Sequence, residues 1–309
     1  MRFGLFTVAF PTLSLRDAAQ WAGANGFPAL EVPCWPATTG AVRRYAGVTH
    51  IDVDDLSDAR ASEIRDEVAE LRTEIVALGY YPNHLHPDPE HRETVAAHTR
   101  KVIAGAARLQ VGVVNTFLGA DQHKTPLQNL ADAKPILTGL VDVARDHGVK
   151  LTVENCPMIF SYDEWPGGHN IFHNPRVWRE VLGWFDDDTF GLNLDPSHLI
   201  WLMIDVERVI REFGSRIHFV QAKDVSIDRE GLYENGTISS GIGWQVPRLP
   251  GLGDVDWARF IAALHRAGYT GPVVVEHEDR QFEATPDLVK EGFLIARNAV
   301  GPYIPSRLT

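Results

Sequence analysis

Eight short apolar runs recur along the chain, with an amphipathic stretch between each and the next, and this alternation restricts the fold more than any other feature. The runs are RFGLFTV (2–8), ALEVP (29–33), GYYPNHL (79–85), GVVNTFL (112–118), KLTVEN (150–155), FGLNLD (190–195), IHFVQAK (217–223) and PVVVEHE (272–278). Among the intervening stretches are EIRDEVAELRTEIVALG, RETVAAHTRKVIAGAARLQ, ILTGLVDVARDHG and DWARFIAALHRAG, several closing on the Gly that stops a helix. Strands alternating with helices mean parallel strands joined by crossovers. Eight such units in 309 residues predict an α/β fold, a (β/α)8 TIM barrel forming one domain over residues 1–309. An open doubly wound sheet would carry a Gly-rich phosphate loop after its first strand, and FTVAFPTLSL has none.

Two loops rich in Gly, Pro and aromatics follow the fifth and seventh strands, residues 155–172 and 225–253. Both leave the C-terminal ends of strands, where barrels of this kind build their sites, so they read as substrate walls or lids. The formal net charge of -12, with Lys and Arg scattered, argues against nucleic acid as a partner. No apolar run reaches the roughly 18 residues of a membrane span. The N-terminal MRFGLFTVAFPTLSL alternates like a strand and lacks the charged start of a signal peptide. Cys34 and Cys156 show no pairing pattern and read as reduced thiols, so a cytoplasmic location is expected.

The ends of strands five to eight carry the chemistry. They present Glu154, Asp195, Gln221 and Glu276, each closing an apolar run. A single acidic residue at a strand end is commonly a helix cap or a solvated loop residue; the weight lies in four consecutive strands ending this way. Carboxylates converging at a half-buried mouth repel one another unless a cation or a proton neutralises them. Carboxylate and amide oxygens are hard donors that suit Mg2+ or Mn2+ better than Zn2+, so one divalent ion per chain is expected.

The segments NLDPSHLIW, ENCPM with DEWPGG, QAKD and GYTGPVVVEHED resemble the xylose isomerase-like barrel superfamily, and within it the bacterial sugar phosphate isomerase/epimerase branch. The resemblance runs from strand two to strand eight. It implies a divalent ion held by Glu, Asp, His and Glu, which fall by position on Glu154, Asp195, Gln221 and Glu276. Gln221 stands where the family presents the His of an H-x-K-D motif. A Gln oxygen still ligates Mg2+ or Mn2+ without adding charge, so a metal site with lower affinity for softer ions is expected.

On the same resemblance His198 contacts substrate oxygens or lies just behind them; its other reading is a loop histidine capping the following helix. Lys223 neutralises carboxylates or holds an enolate oxygen, while Asp224 orders its loop. Trp165 and Trp244 are expected to stack on a sugar face or to anchor their loops, and Asn115 to contact substrate. In NHLHPDPEH, His84 and His86 alternate across a strand end, so one of them points inward as a candidate acid/base group, while His91 begins a helix and faces solvent.

The implied reaction removes a proton from carbon beside a carbonyl, with the metal stabilising an enediolate and Glu154 and Glu276 serving as base and acid on opposite faces. Returning the proton gives epimerisation or isomerisation of a keto-sugar. The large subunits of bacterial C-glycoside deglycosidases also resemble this branch. They imply the alternative of C2 deprotonation of a 3-keto-glycoside and β-elimination of the aglycone, a lyase working with a small β-rich partner subunit. Loss of the His ligand leaves a metal-free sugar-binding barrel as a third reading, against which the retained carboxylates speak. The superfamily's apurinic endonucleases use more histidine, zinc and a cationic surface, which this charge disfavours. Homo-oligomers are common among the relatives and are expected.

Overall fold

The computed structural model describes residues 1–37, 47–159, 168–237 and 243–304. Eight parallel strands close into a barrel: β1 (Arg2–Phe6), β2 (Ala29–Pro33), β3 (Glu74–Gly79), β4 (Val113–Thr116), β5 (Lys150–Glu154), β6 (Phe190–Leu194), β7 (Ile217–Ala222) and β10 (Pro272–Val275). Each pairs with its neighbours in chain order, and β10 closes the ring against β1. Helices α1 (Leu15–Ala24), α2 (Asp58–Glu70), α3 (Pro89–Arg108), α4 (Pro126–Asp146) and α5 (Pro175–Leu182) cross between the first six strands. Then come α6 (Pro196–Trp201), α7 (Val206–Phe213), α8 (Arg229–Asn235), α9 (Trp257–Arg266) and α10 (Pro286–Val300).

Local sequence sets these boundaries. Every α-helix named begins after a Ser, Thr, Asp or Asn whose side chain accepts a backbone N–H of the first turn, as at Ser14, Ser57, Asp88 and Thr125. The Thr125 cap is reciprocated by Gln128 in a capping box. Gly148 and Gly268, at positive φ, end the turns after α4 and α9.

The third strand corrects the expectation drawn from residues 79–85. β3 is EIVALG, and GYYPNHL forms the loop that leaves it. The apolar spacing of α2, with Ala61, Ile64 and Val68 buried, continues into Leu71 and Ile75, so the stretch reads as one helix. The chain instead turns at Arg72, which takes φ 59° without being Gly.

The layer between barrel and helices is apolar, with Trp178, Phe27, Phe190 and Phe293 fully buried. The lumen is not uniformly so. Phe6, Val76, Phe219 and Val274 form a small apolar cluster. Glu31, Asn115, Thr152, Asn193 and Gln221 are all 0% exposed, where branched aliphatic layers are the rule in such barrels. Gly79 leaves room for them, since a Cβ there would lie 2.9 Å from Glu31 Oε1 and from the Tyr81 ring. Register shifts interrupt the ladder at Leu30/Glu31 and at Leu192/Asn193, irregularities of a kind that re-aim side chains near sites.

After β7 the chain makes an antiparallel hairpin, β8 (Asp224–Ile227) with β9 (Gln245–Arg248). Asp224 organises this excursion. Its carboxylate accepts from the backbone N–H of Val225, Gly251 and Val255 and from Trp257 Nε1. Among the described residues no helix is long and apolar enough to cross a membrane.

Candidate active site

Glu154 closes β5, and Asp195 follows β6 as the N-cap of α6, its Oδ1 accepting from Ser197 N at 2.8 Å. Asn155 clamps the Asp195 backbone from both sides: its Oδ1 accepts from Asp195 N at 2.7 Å and its Nδ2 donates to Asp195 O at 3.0 Å. Glu276 follows β10 and Lys223 follows β7. All lie at the C-terminal mouth of the barrel and all are buried. Glu154, Asp195 and Glu276 each present a carboxylate oxygen within 4.8 Å of the other two, an arrangement able to hold a metal ion.

Lys223 reaches into this group. Its Nζ donates to Glu276 Oε2 at 2.7 Å and stands 3.0 Å from Asp195 Oδ2, 3.2 Å from Glu278 Oε2 and 3.9 Å from Glu154 Oε1. Burial alone would lower the lysine, but the surrounding carboxylates outweigh it and hold the ammonium well above its ordinary range. Burial likewise works against the Asp195 anion, yet Lys223 and His198 keep that carboxyl well below the usual range. Glu276 goes the other way: burial, with the like charge of Glu154 and Glu278, pushes it well up despite Lys223.

His198 brings Nε2 to 3.1 Å from Asp195 Oδ2 and 3.4 Å from Glu154 Oε1, while Trp201 Nε1–H donates to its Nδ1 at 3.2 Å. In the neutral ring this contact leaves Nδ1 as the acceptor and the proton on Nε2. The imidazolium, which burial opposes but neighbouring Asp195 favours, carries a proton on Nε2 as well. His198 therefore turns an N–H into the site. Cys156 completes a second group with Glu154 and His198, and burial raises its thiol.

The fit to a cation can be tested on the polar atoms left over. Glu154 Oε1, Asp195 Oδ2 and Asn193 Oδ1 are buried oxygens without a well-formed hydrogen bond. Among the described residues, four carboxylates stand within ion-pair distance of the Lys223 ammonium, two of them also beside His198. Buried oxygens short of hydrogen bonds beside crowded carboxylates are donors that fit a hard divalent ion.

Other expected residues sit elsewhere. Gln221 is turned into the lumen: its Oε1 accepts from Asn193 Nδ2 at 2.8 Å, and its Nε2 donates to Glu31 Oε2 at 3.1 Å and Tyr81 Oη at 2.9 Å. Its expected place among the ligands is thereby revised, because both ends of the amide are engaged in another network. Asn115 belongs to the same network, donating to Glu31 Oε1 at 2.9 Å and accepting from the Thr152 hydroxyl, so its assignment to substrate is corrected. Trp244 is 2% exposed and packs with Trp201 and Val225, which makes it a loop anchor rather than a sugar platform. Trp165 lies outside the described residues.

His84 and His86 lie in the loop after β3, not at a strand end. His84 is buried, its Nε2 3.2 Å from Thr116 Oγ1, and burial lowers it to about 4, so it is neutral near pH 7. His86 is half-buried, its ring tilted against that of His91 with centroids 4.3 Å apart, and His91 is exposed. Neither His84 nor His86 is in the groups that converge on Glu154.

Glu31, Asn155, Asn193 and Glu278 take part without having been singled out. Glu31 and Asn193 are polar residues inside apolar strands, the signal that marked the ends of strands five to eight.

The structure is a closed parallel (β/α)8 barrel with three convergent carboxylates, a lysine and a histidine N–H at its C-terminal mouth. Residues 19–299 match the family model described as xylose isomerase-like TIM barrel, and the chain belongs to that family. It is 38% identical over 307 residues to YfiH of Bacillus subtilis (strain 168), covering 90% of this chain and 93% of that protein. A 3-dehydroshikimate dehydratase of Pseudomonas putida is 28% identical over 127 residues, 40% of this chain and 18% of its own length. Among solved structures, the IOLI protein with a bound zinc atom superposes with a TM-score of 0.73 at 17% identity, covering 99% of this chain and 100% of that one. D-psicose 3-epimerase from Clostridium cellulolyticum H10, solved with D-tagatose, gives 0.67 at 16% identity, with 97% and 99% covered.

Proposed function

We propose that this protein is a divalent-metal-dependent sugar isomerase or epimerase that moves a proton at the carbon beside a substrate carbonyl. The convergence of Glu154, Asp195 and Glu276, two of them with buried oxygens that lack a well-formed hydrogen bond, carries this reading. These three residues would hold Mn2+ or Mg2+, which their hard oxygens favour. A bound divalent ion supplies Lewis-acid stabilisation of negative charge on substrate oxygens.

The chain's own groups do the rest. Glu154 Oε1 has no hydrogen bond to spend and serves as the base that takes the proton. Glu276, on the β10 side of the mouth and held by a hydrogen bond from the Lys223 ammonium, is placed to return the proton on the opposite face of the substrate. The His198 N–H and the Lys223 ammonium orient substrate oxygens by donating to them. Neutral His84 lies too deep against Thr116 to be drawn into the proton transfer. The similarity to ketose 3-epimerases supports a free or phosphorylated keto-sugar as substrate. Elimination from a 3-keto-glycoside begins with the same proton transfer.

Both chemistries are read in one experiment. Protein loaded with Mn2+ is incubated in D2O with a panel of ketoses and 3-keto-glycosides, followed by NMR and mass spectrometry. Deuterium at the carbon beside the carbonyl, with the sugar otherwise intact, is the expected result. Release of an aglycone would move the assignment to the lyase. Full metal occupancy with neither outcome for any keto-sugar would sink the enzyme reading and favour a sugar-binding barrel.

A further inference from the structure

The buried network in the lumen has a direction, and following it leads to an oxygen that nothing in the protein satisfies. It begins at Glu31, whose carboxylate is surrounded by donors: Asn115 Nδ2, the Tyr81 hydroxyl and Gln221 Nε2. Because the NH2 end of Gln221 faces Glu31 and Tyr81, its oxygen must face the other way, where it accepts from Asn193 Nδ2 at 2.8 Å. Asn193 is then fixed as well. Turning its amide over would set oxygen against oxygen, so Nδ2 stays on Gln221 and Oδ1 is left over.

That leftover atom is 0% exposed and without a hydrogen bond. A buried amide oxygen in this condition is costly unless something outside the protein pairs with it. Its neighbours say what. Asn193 pairs in register with Glu154 on β5, which puts the two side chains next to each other on one face of the sheet. Asp195 lies two residues further along the same strand direction and therefore on the same face. These are the two residues whose carboxylate oxygens, Glu154 Oε1 and Asp195 Oδ2, also lack a well-formed hydrogen bond and are met instead by the ion-pair contacts of Lys223 and His198. Three buried oxygens short of hydrogen bonds thus come from adjacent positions of β5 and β6. The ladder shifts register between Leu192 and Asn193, where the relay ends, and between Leu30 and Glu31, where it begins.

We infer that Asn193 Oδ1 is a neutral oxygen ligand of the divalent cation, and that Glu31 and Gln221 act through the amide relay to aim it. The inference rests on the metal reading above and deepens it: the neutral donor expected at residue 221 is supplied instead from the neighbouring strand. Because this donor is an amide oxygen and not an imidazole, the ligand set is all oxygen and selects Mn2+ or Mg2+ over Zn2+.

The test measures metal binding without substrate. Mn2+ affinity of the full chain is obtained by calorimetry, and the waters on bound Mn2+ are counted from EPR line broadening in 17O-enriched water. Asn193→Ala is expected to weaken Mn2+ binding by about 10–100-fold and to add one coordinated water. Asn193→Asp, made together with Glu31→Gln so that the Gln221 amide can turn and donate to the new carboxylate, keeps an oxygen in place and should bind at least as tightly as the wild type with an unchanged water count. It also serves if the alanine variant fails to fold. Wild-type affinity and water count in Asn193→Ala, or an extra water in the double variant, would overturn the assignment while leaving the metal reading intact. A wild-type protein that takes up no Mn2+ would overturn both.

Discussion

Two buried polar regions share this barrel, and they are built on opposite terms. In the lumen, Glu31, Tyr81, Asn115, Thr152 and Gln221 form a network in which each donor and acceptor has found a partner. At the mouth, Glu154, Asp195 and His198 keep buried atoms without well-formed hydrogen bonds, and the Lys223 ammonium stands among four carboxylates. A satisfied network holds strands in place and specifies a core, whereas an unsatisfied one is costly and persists only where something else completes it. The lumen therefore reads as structure and the mouth as function, though both are made from the same residue types. Asn193 stands at the boundary, with one end of its amide in each.

The sharpest way to break the comparison is to change one carboxylate at the mouth. Glu154→Gln removes the proposed base and one charged ligand with almost no change of volume. Turnover of a responsive keto-sugar should fall by about 10²–10⁴-fold, the span expected for a lost acid/base group. Stability should hold or rise, because one of several crowded negative charges is gone. Activity is followed by deuterium exchange and stability by thermal unfolding of the metal-free protein. A variant that keeps its activity but unfolds easily would turn the comparison around.

Lys223 tests the charge balance of the mouth and carries the next largest effect. Lys223→Met takes away the buried cation while leaving its partners, a change that costs about 3–5 kcal/mol when a buried pair is broken. The metal-free variant should melt well below the wild type, and saturating Mn2+ should recover most of the loss through preferential binding to the folded state. A melt unaffected by the substitution would mean that the four carboxylates are neutralised in another way. A deficit that Mn2+ does not restore would mean that the ion binds elsewhere.

The contrast also explains how far the sequence could be read. Alternation of strand and helix located all eight barrel strands but the third, because Arg72 ends a helical pattern with a left-handed turn that only a Gly or Asn would have announced. Acidic residues at strand ends marked Glu154, Asp195 and Glu276, since a charge closing an apolar run stands out. Gln221 showed the same signal and yet serves the lumen: one position in a strand cannot say whether an amide faces a ligand or a carboxylate 190 residues away. Trp244 failed as a platform for a similar reason, its ring being needed to pack the hairpin against Trp201. Such assignments depend on partners brought together by the closed barrel, and no local pattern carries them.

The smallest expected effect belongs to the lumen and sharpens the comparison from the other side. Burial pushes the Glu31 carboxyl up to about 7, and the donors from Asn115, Tyr81 and Gln221 only partly resist it. A carboxyl raised in the folded state keeps its proton where the unfolded chain has already released one. Over the window from the ordinary carboxylate range to about pH 7, the folded protein thus binds more protons, and stability declines as pH rises. The contribution is on the order of 3 kcal/mol, complete in acid and lost above pH 7. Urea unfolding of wild type and Glu31→Gln across pH 5 to 8 isolates it, because the other carboxyl groups are common to both proteins. The difference between the two curves should slope through this window and flatten beyond it. Parallel curves would show that the three donors keep Glu31 ionised throughout, and the lumen network would then be a fixed anion in a cage of donors.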